Sequence, residues 1–178
     1  MRVCVFSGSS DGVGEDYALA ARELAAALVN RGCTIVYGGT NLGLMLELAD
    51  AALSHNGRVE GVITEQFLSE GIGHAGLSEI VVATSMHDRK MQMFNRSDAF
   101  IALPGGAGTL DEFFESWTWR QIGIHSKPVG LVNTLGYYDK LIEFLNHASD
   151  QGFLKRDYIA MLSVESSPVK LLDEMGIV

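Results

Sequence analysis

Ala99-Phe100-Ile101-Ala102-Leu103-Pro104-Gly105-Gly106-Ala107-Gly108-Thr109-Leu110-Asp111-Glu112 joins an apolar run to a glycine turn and then to a helix start. Five apolar residues without alternation, Ala99–Leu103, read as a strand covered on both faces, the pattern of a central parallel strand. The glycines punctuate, and Leu110–Ile122 carries helical spacing. The same unit repeats outward in both directions. Val3–Ser7, Thr34–Tyr37, Val59–Ile63, Glu79–Ala83, Val129–Val132 and Leu162–Val164 read as further strands. Glu15–Arg31, Leu44–His55, Met86–Arg96 and Tyr138–Gln151 read as helices, with a last short one after Pro168. Strands alternating with helices imply parallel pairing through right-handed crossovers. The fold class is therefore α/β: a Rossmann-like open, mostly parallel sheet with helices on both faces. In such sheets ligands bind at the carboxyl ends of the strands, so the loops after the strands carry the functional signal.

The chain has 178 residues, which is room for about one domain, 1–178. Hydrophobic residues make up 47% and charged residues 20%, a balance that excludes intrinsic disorder. Two cysteines, Cys4 and Cys33, exclude a disulfide scaffold and read as buried thiols in strand-like runs. The formal charge of −9 repels phosphate at long range. It argues against a nucleic-acid polymer or an anionic membrane as partner. A phosphate ligand needs a local site that overrides this field. No apolar run approaches the ~18 residues of a membrane helix. Met1–Phe6 is too short for a signal-peptide apolar region, so the expected compartment is the cytoplasm.

Three loops follow strands and precede helices: Ser7-Gly8-Ser9-Ser10-Asp11-Gly12-Val13-Gly14, Tyr37-Gly38-Gly39-Thr40-Asn41-Leu42-Gly43, and Pro104-Gly105-Gly106-Ala107-Gly108-Thr109. Such loops let backbone N–H groups face an anion near a helix N-terminus. A single one is explained by a tight turn; two double-glycine loops on one sheet edge point to a phosphate or nucleotide site. Gly8, Gly12 and Gly14 have the spacing of short-chain dehydrogenases. However, no acidic residue follows Tyr37 to hold a ribose, and no Tyr has a Lys four residues on. Hydride transfer is set aside, and Walker A is absent.

Thr109-Leu110-Asp111-Glu112 opens a helix. Its plain reading is a capping box, with Thr109 as N-cap and Glu112 reaching back. The functional reading puts Glu112 beside a bound ligand, with Glu115 one turn on in a solvated or structural role. Met86-His87-Asp88-Arg89-Lys90 is a basic cluster at a helix start, against the helix dipole. Lys90 fits a solvated face. Arg89 suits a phosphate or Glu112, and Arg96 points in roughly the same direction. No H-E-x-x-H or C-x-x-C occurs, so no metal is expected.

These two signatures resemble those of the Lonely guy (LOG) family, the cytokinin riboside 5′-monophosphate phosphoribohydrolases, many of which carry the label "lysine decarboxylase". The resemblance runs from Ser7-Gly8-Ser9-Ser10 to Tyr137-Tyr138-Asp139-Lys140-Leu141 and includes Lys127-Pro128-Val129-Gly130-Leu131. It implies cleavage of the N-glycosidic bond of a nucleoside monophosphate, without metal or organic cofactor, by a homodimer or a higher oligomer. It makes Arg89 and Glu112 the catalytic positions. Gly105, Gly106, Gly108 and Thr109 become the phosphate loop, and Ser9, Gly39, Met86 and Lys90 further substrate contacts. Arg89 is then expected to position Glu112 and keep it ionised. The second loop departs from the family pattern G-G-G-x-x-G-L-M-G. Thr40 stands at the third glycine, where a β-branched residue resists φ > 0, and Leu46 at the last. Cytokinin monophosphates and AMP therefore both remain candidate substrates. The decarboxylase label does not fit: none of the five lysines has a recognisable pyridoxal-phosphate context. The other function class is a nucleotide-binding module that senses without turnover.

Overall fold

The strands predicted from the apolar runs all form. A computed structural model describes residues 1–178. The strands are β1 (Arg2–Phe6), β2 (Thr34–Tyr37), β3 (Val59–Thr64), β4 (Glu79–Ala83), β5 (Ala99–Ala102), β6 (Val129–Val132) and β7 (Leu162–Glu165). They build one seven-stranded sheet in the order β4-β3-β2-β1-β5-β6-β7, parallel at every pairing. The helices are α1 (Asp16–Asn30), α2 (Gly43–Ser54), α3 (Glu65–Ser69), α4 (Met86–Arg96), α5 (Ala107–Gln121), α6 (Asp139–Asp150), α7 (Arg156–Ile159) and α8 (Pro168–Glu174). α3 and α7 were not expected. At five and four residues they are too short to show a helical period.

Side-chain alternation on the strands divides the core into two layers. Val3 and Val5 of β1 pack with Leu24, Leu28, Leu48 and Leu171 on the α1, α2 and α8 face. Cys4 and Phe6 pack with Met93, Phe113, Trp117 and Leu145 on the α4, α5 and α6 face. Both cysteines are free and buried. Trp117 and Phe113 belong to the core, and Trp119 meets the Phe94 ring edge-on at 4.6 Å. No helix is long and apolar enough to cross a membrane.

The amino ends of the strands are tied by charge. Glu60, fully buried at the start of β3, accepts from Arg2 Nε at 3.4 Å, Arg58 Nε at 3.2 Å and Arg96 Nη1 at 3.2 Å. Arg58 and Arg96 also reach Glu79 of β4, at 2.7 and 2.9 Å. Arg96 therefore does not share the direction of Arg89: it ends α4 at the opposite edge of the sheet from the loops described next. A buried carboxylate needs such partners, whereas half-exposed arginines can return to water. Glu60→Ala is expected to lower unfolding free energy by about 2 kcal/mol, and Arg58→Ala by less than about 1 kcal/mol. Urea unfolding of the two variants checks the order.

Candidate active site

The sheet order reverses at β1, with β2 on one side and β5 on the other. The loops after these strands separate there, as they do in other doubly wound sheets. A cavity of about 430 Å³ opens at that point, within the ~300–1,000 Å³ typical of small-molecule sites. Ser7, Gly8 and Ser9 from the β1 loop form part of its wall, with Gly106, Ala107, Gly108 and Thr109 from the neighbouring loop and the start of α5. Met86, Arg89 and Lys90 of α4 and Asp111 and Glu112 of α5 complete the polar part. Thr40, Leu42, Met45, Phe67 and Ile72, mostly apolar, also line it.

Arg89 is the centre of the polar part. Its Nε donates to Val62 O at 2.9 Å, Nη2 to Gly38 O at 3.0 Å and Nη1 to Glu112 Oε1 at 3.0 Å. The Arg89 and Glu112 side chains are 6% and 13% exposed. Gly38 has no alternative here, because a Cβ would collide with the Arg89 guanidinium. Burial pushes the Glu112 carboxyl above the ordinary glutamate value, and the Arg89 charge and hydrogen bond only partly offset it. Arg89 bonds Glu112 from one side and its charge favours the ionised form, while desolvation outweighs that cation in setting the direction of the shift.

The capping-box reading is also corrected. α5 begins at Ala107 with Gly106 as N-cap and no side-chain cap. Thr109 lies inside the first turn, buried, and Glu112 reaches Arg89 instead of the helix start. The N–H groups of Ala107, Gly108 and Thr109 precede the first intrahelical donor, Leu110 N, which bonds Gly106 O at 3.1 Å. They form an uncapped helix N-terminus on the cavity wall. A side-chain cap sits on α4 instead: Ser85 Oγ accepts from Asp88 N at 3.1 Å, and Asp88 Oδ2 accepts from Thr84 N at 2.9 Å. This resolves the cations at the start of α4, since Asp88 offsets them. His87 and Asp88 do not line the cavity.

Lys90 is not on a solvated face. Its side chain is 13% exposed and bonds Asp111 at 3.0 Å and Glu115 at 3.2 Å. Burial pulls its ammonium down, but the two carboxylates outweigh that and hold it above the ordinary lysine value. It is the one lysine on the cavity wall, and a Schiff-base lysine needs the opposite shift. Lys127, which burial does pull down, borders none of the cavities.

Among the other expected contacts, Ser9, Met86, Gly106, Gly108 and Thr109 lie on the wall. Gly39 and Gly105 do not. Gly39 packs against Gly61, Val62 and Ile63 of β3, its carbonyl accepting from His74 N at 3.0 Å. Gly105 borders a neighbouring cavity of about 290 Å³ with Tyr17 and Tyr137. Thr40 adopts no left-handed backbone; Gly39 and Gly43 do, at φ 76° and 52°. A Cβ at Gly43 would also strike the backbone of Ser9 and Ser10, so Gly43 lets the first two loops touch. Leu46 is off the wall, while the neighbouring Met45 is on it. Ser7, Asp111, Leu42, Met45, Phe67 and Ile72 were not anticipated. Phe67 depends on α3, whose signal was Thr64-Glu65: Thr64 Oγ1 accepts from Phe67 N at 3.4 Å. No group of three His, Cys, Asp or Glu residues is placed to hold a metal ion.

Comparison with known proteins adds three findings. A family model described as "Possible lysine decarboxylase" matches residues 45–175. The cytokinin riboside 5′-monophosphate phosphoribohydrolase LOG5 of Arabidopsis thaliana is 47% identical over 154 residues, covering 86% of this chain and 68% of the relative. LOG1 of the same plant is 46% identical over 153 residues, covering 86% and 72%. Among solved structures, the molybdenum cofactor binding protein of Rippkaea orientalis overlays with a TM-score of 0.72 at 19% identity, covering 98% of this chain and 94% of that one. A structural-genomics target reaches 0.76 at 18% identity over 99% of each chain. At such identities these structures support the fold alone.

Removing one partner of the central pair tests its cost. Arg89→Ala leaves Glu112 and two carbonyls without their donor and is expected to destabilise by about 2–4 kcal/mol. Glu112→Gln keeps an acceptor for Nη1 and is expected to cost about 1 kcal/mol or less. Chemical denaturation reads both.

Proposed function

The chain belongs to the family described as possible lysine decarboxylases and is 47% and 46% identical to two phosphoribohydrolases, and on that premise we propose that it hydrolyses the N-glycosidic bond of a nucleoside 5′-monophosphate. The observation that carries the reading is the buried Arg89–Glu112 pair, on one cavity wall with an uncapped helix N-terminus. A pyridoxal-phosphate decarboxylase needs a lysine free to form a Schiff base, and Lys90 on this cavity is locked between two carboxylates.

In this reading the 5′-phosphate takes the N–H groups of Ala107, Gly108 and Thr109, where the α5 dipole favours an anion despite the net charge of −9. The base extends towards Leu42, Met45, Phe67 and Ile72. The anomeric carbon then lies beside Glu112. Water adds across the glycosidic bond: its oxygen goes to C1′ and a proton to the departing base nitrogen. The transition state carries positive charge on the ribosyl ring, as in other glycoside hydrolyses. A desolvated carboxylate facing that charge stabilises it more than one in water. Arg89 fixes the carboxylate in place by hydrogen bonding it from one side. Free base and ribose 5-phosphate are the products. The chain acts in this reading as one nucleotide-binding domain, 1–178, in a cytoplasmic homodimer. Exposed Ile80 and Val82 on the edge strand β4 are apolar surface that a second copy would cover.

The test is chromatography of free base after incubation with AMP and, separately, with isopentenyladenosine monophosphate. Release is expected, and Glu112→Gln is expected to slow it on the order of 10²–10⁴-fold. Nucleotide binding without release would make the chain a sensing module instead.

A further inference from the structure

Ser7 follows β1 and precedes Gly8, whose amide donates to Pro104 O at 3.0 Å. That bond fastens the end of β1 to the loop after β5, where the sheet order reverses. Ser7 is 6% exposed, and its Oγ is buried with no hydrogen-bond partner in the chain. One other side-chain atom, Thr134 Oγ1, shares this condition, and Thr134 borders none of the cavities. Ser7 borders the cavity that holds Arg89 and Glu112, and neither of the other two.

A hydroxyl withdrawn from water without a new partner is unfavourable in the ligand-free protein. Buried polar groups are nearly always paired, so an orphan on a binding cavity is accounted for when the ligand brings the partner. The position of Ser7 narrows which part of the ligand that is. β1 lies next to β5 in the sheet, so Ser7 is adjacent to the turn that leads into α5. Resting on the nucleotide reading above, the phosphate occupies the α5 N-terminus and the anomeric carbon faces Glu112. The sugar and its 5′-oxygen span the interval between them.

We propose that Ser7 is a substrate-contacting residue whose hydroxyl hydrogen-bonds an oxygen of the ribose 5-phosphate half of the nucleotide, and not the base. A hydroxyl donates and accepts, so it suits a sugar hydroxyl or a phosphate oxygen alike. The hydroxyl, buried and without a partner in the chain, turns about its Cα–Cβ bond towards the cavity and becomes paired on binding. It therefore costs stability without ligand and contributes affinity with it.

The experiment compares the full-length protein with Ser7→Ala. It measures base release from AMP, inhibition of that release by ribose 5-phosphate and by adenine, and the ligand-free Tm. The inhibition constant for ribose 5-phosphate is expected to rise about tenfold, the value for one lost hydrogen bond to a charged ligand. The constant for adenine is expected to stay unchanged, and the ligand-free Tm to stay equal or rise. A role confined to structure would lower Tm and leave the inhibition constants alone. The inference is overturned if ribose 5-phosphate inhibits both proteins equally, if adenine weakens in parallel, or if Tm falls. Those outcomes leave the nucleotide reading standing, since the wild type still releases base. A wild type that releases no base overturns that reading, and the assignment of Ser7 with it.

Discussion

The Arg89 guanidinium is bound on three sides, to Val62 O within β3, to Gly38 O just after β2, and to the Glu112 carboxylate on α5. A planar fork with fixed donor directions cannot satisfy all three unless the strand ends and both helices hold one arrangement. The pair therefore joins α4 and α5 across the mouth of the sheet. It also converts the rigidity of the parallel ladder into a fixed position for one carboxylate. Sites built on such elements keep their geometry better than sites carried on loops. Gly38 belongs to this constraint, because any side chain there would take the space of the guanidinium.

Charge is distributed around that pair in a way that net charge conceals. The chain carries −9, yet an uncapped α5 N-terminus, Arg89 and Lys90 meet on one wall. Lys90 is neutralised locally by Asp111 and Glu115, which removes it as a nucleophile and leaves it as a strut between α4 and α5. Glu112 is the contrasting case. Its single cationic partner does not compensate for the loss of water, so its carboxyl moves up. A carboxylate kept short of solvation is poised to respond to a positive charge forming next to it. The same environment in the ligand-free protein leaves Ser7 without a partner, as another group whose hydrogen bonding is deferred to the ligand.

Much of this arrangement was legible in the residues. Short apolar runs located every strand, and glycines follow three of them, β1, β2 and β5, whose ends form the cavity. The family signatures picked out Arg89 and Glu112, and the structure places them 3.0 Å apart. What was hidden depended on three-dimensional neighbours. Thr109 and Glu112 have capping-box spacing, but Gly106 caps the helix three residues earlier than that reading requires, and a tertiary partner claims the glutamate. Lys90 looked solvated because its partners lie more than twenty residues away. Phe67 and Ile72 reach the cavity through contacts of their segment with the second loop, Asn41 N to Ile72 O and His74 N to Gly39 O. No local pattern encodes those contacts. The upward direction of the Glu112 shift is hidden for the same reason: burial is a property of the fold, whereas the neighbouring arginine, which does act downward, is visible in the motif.

The claim that burial governs Glu112 is tested most directly by the pH dependence of kcat/KM for base release from AMP, which reports groups of the free enzyme. The carboxylate is the active form, so activity is lost as pH falls through its titration. The account predicts an acidic limb above the ordinary glutamate value of about 4.3, absent from the residual activity of Glu112→Gln. A limb at or below that value would mean that Arg89 outweighs burial after all. A limb unchanged in Glu112→Gln would mean that another group carries the charge.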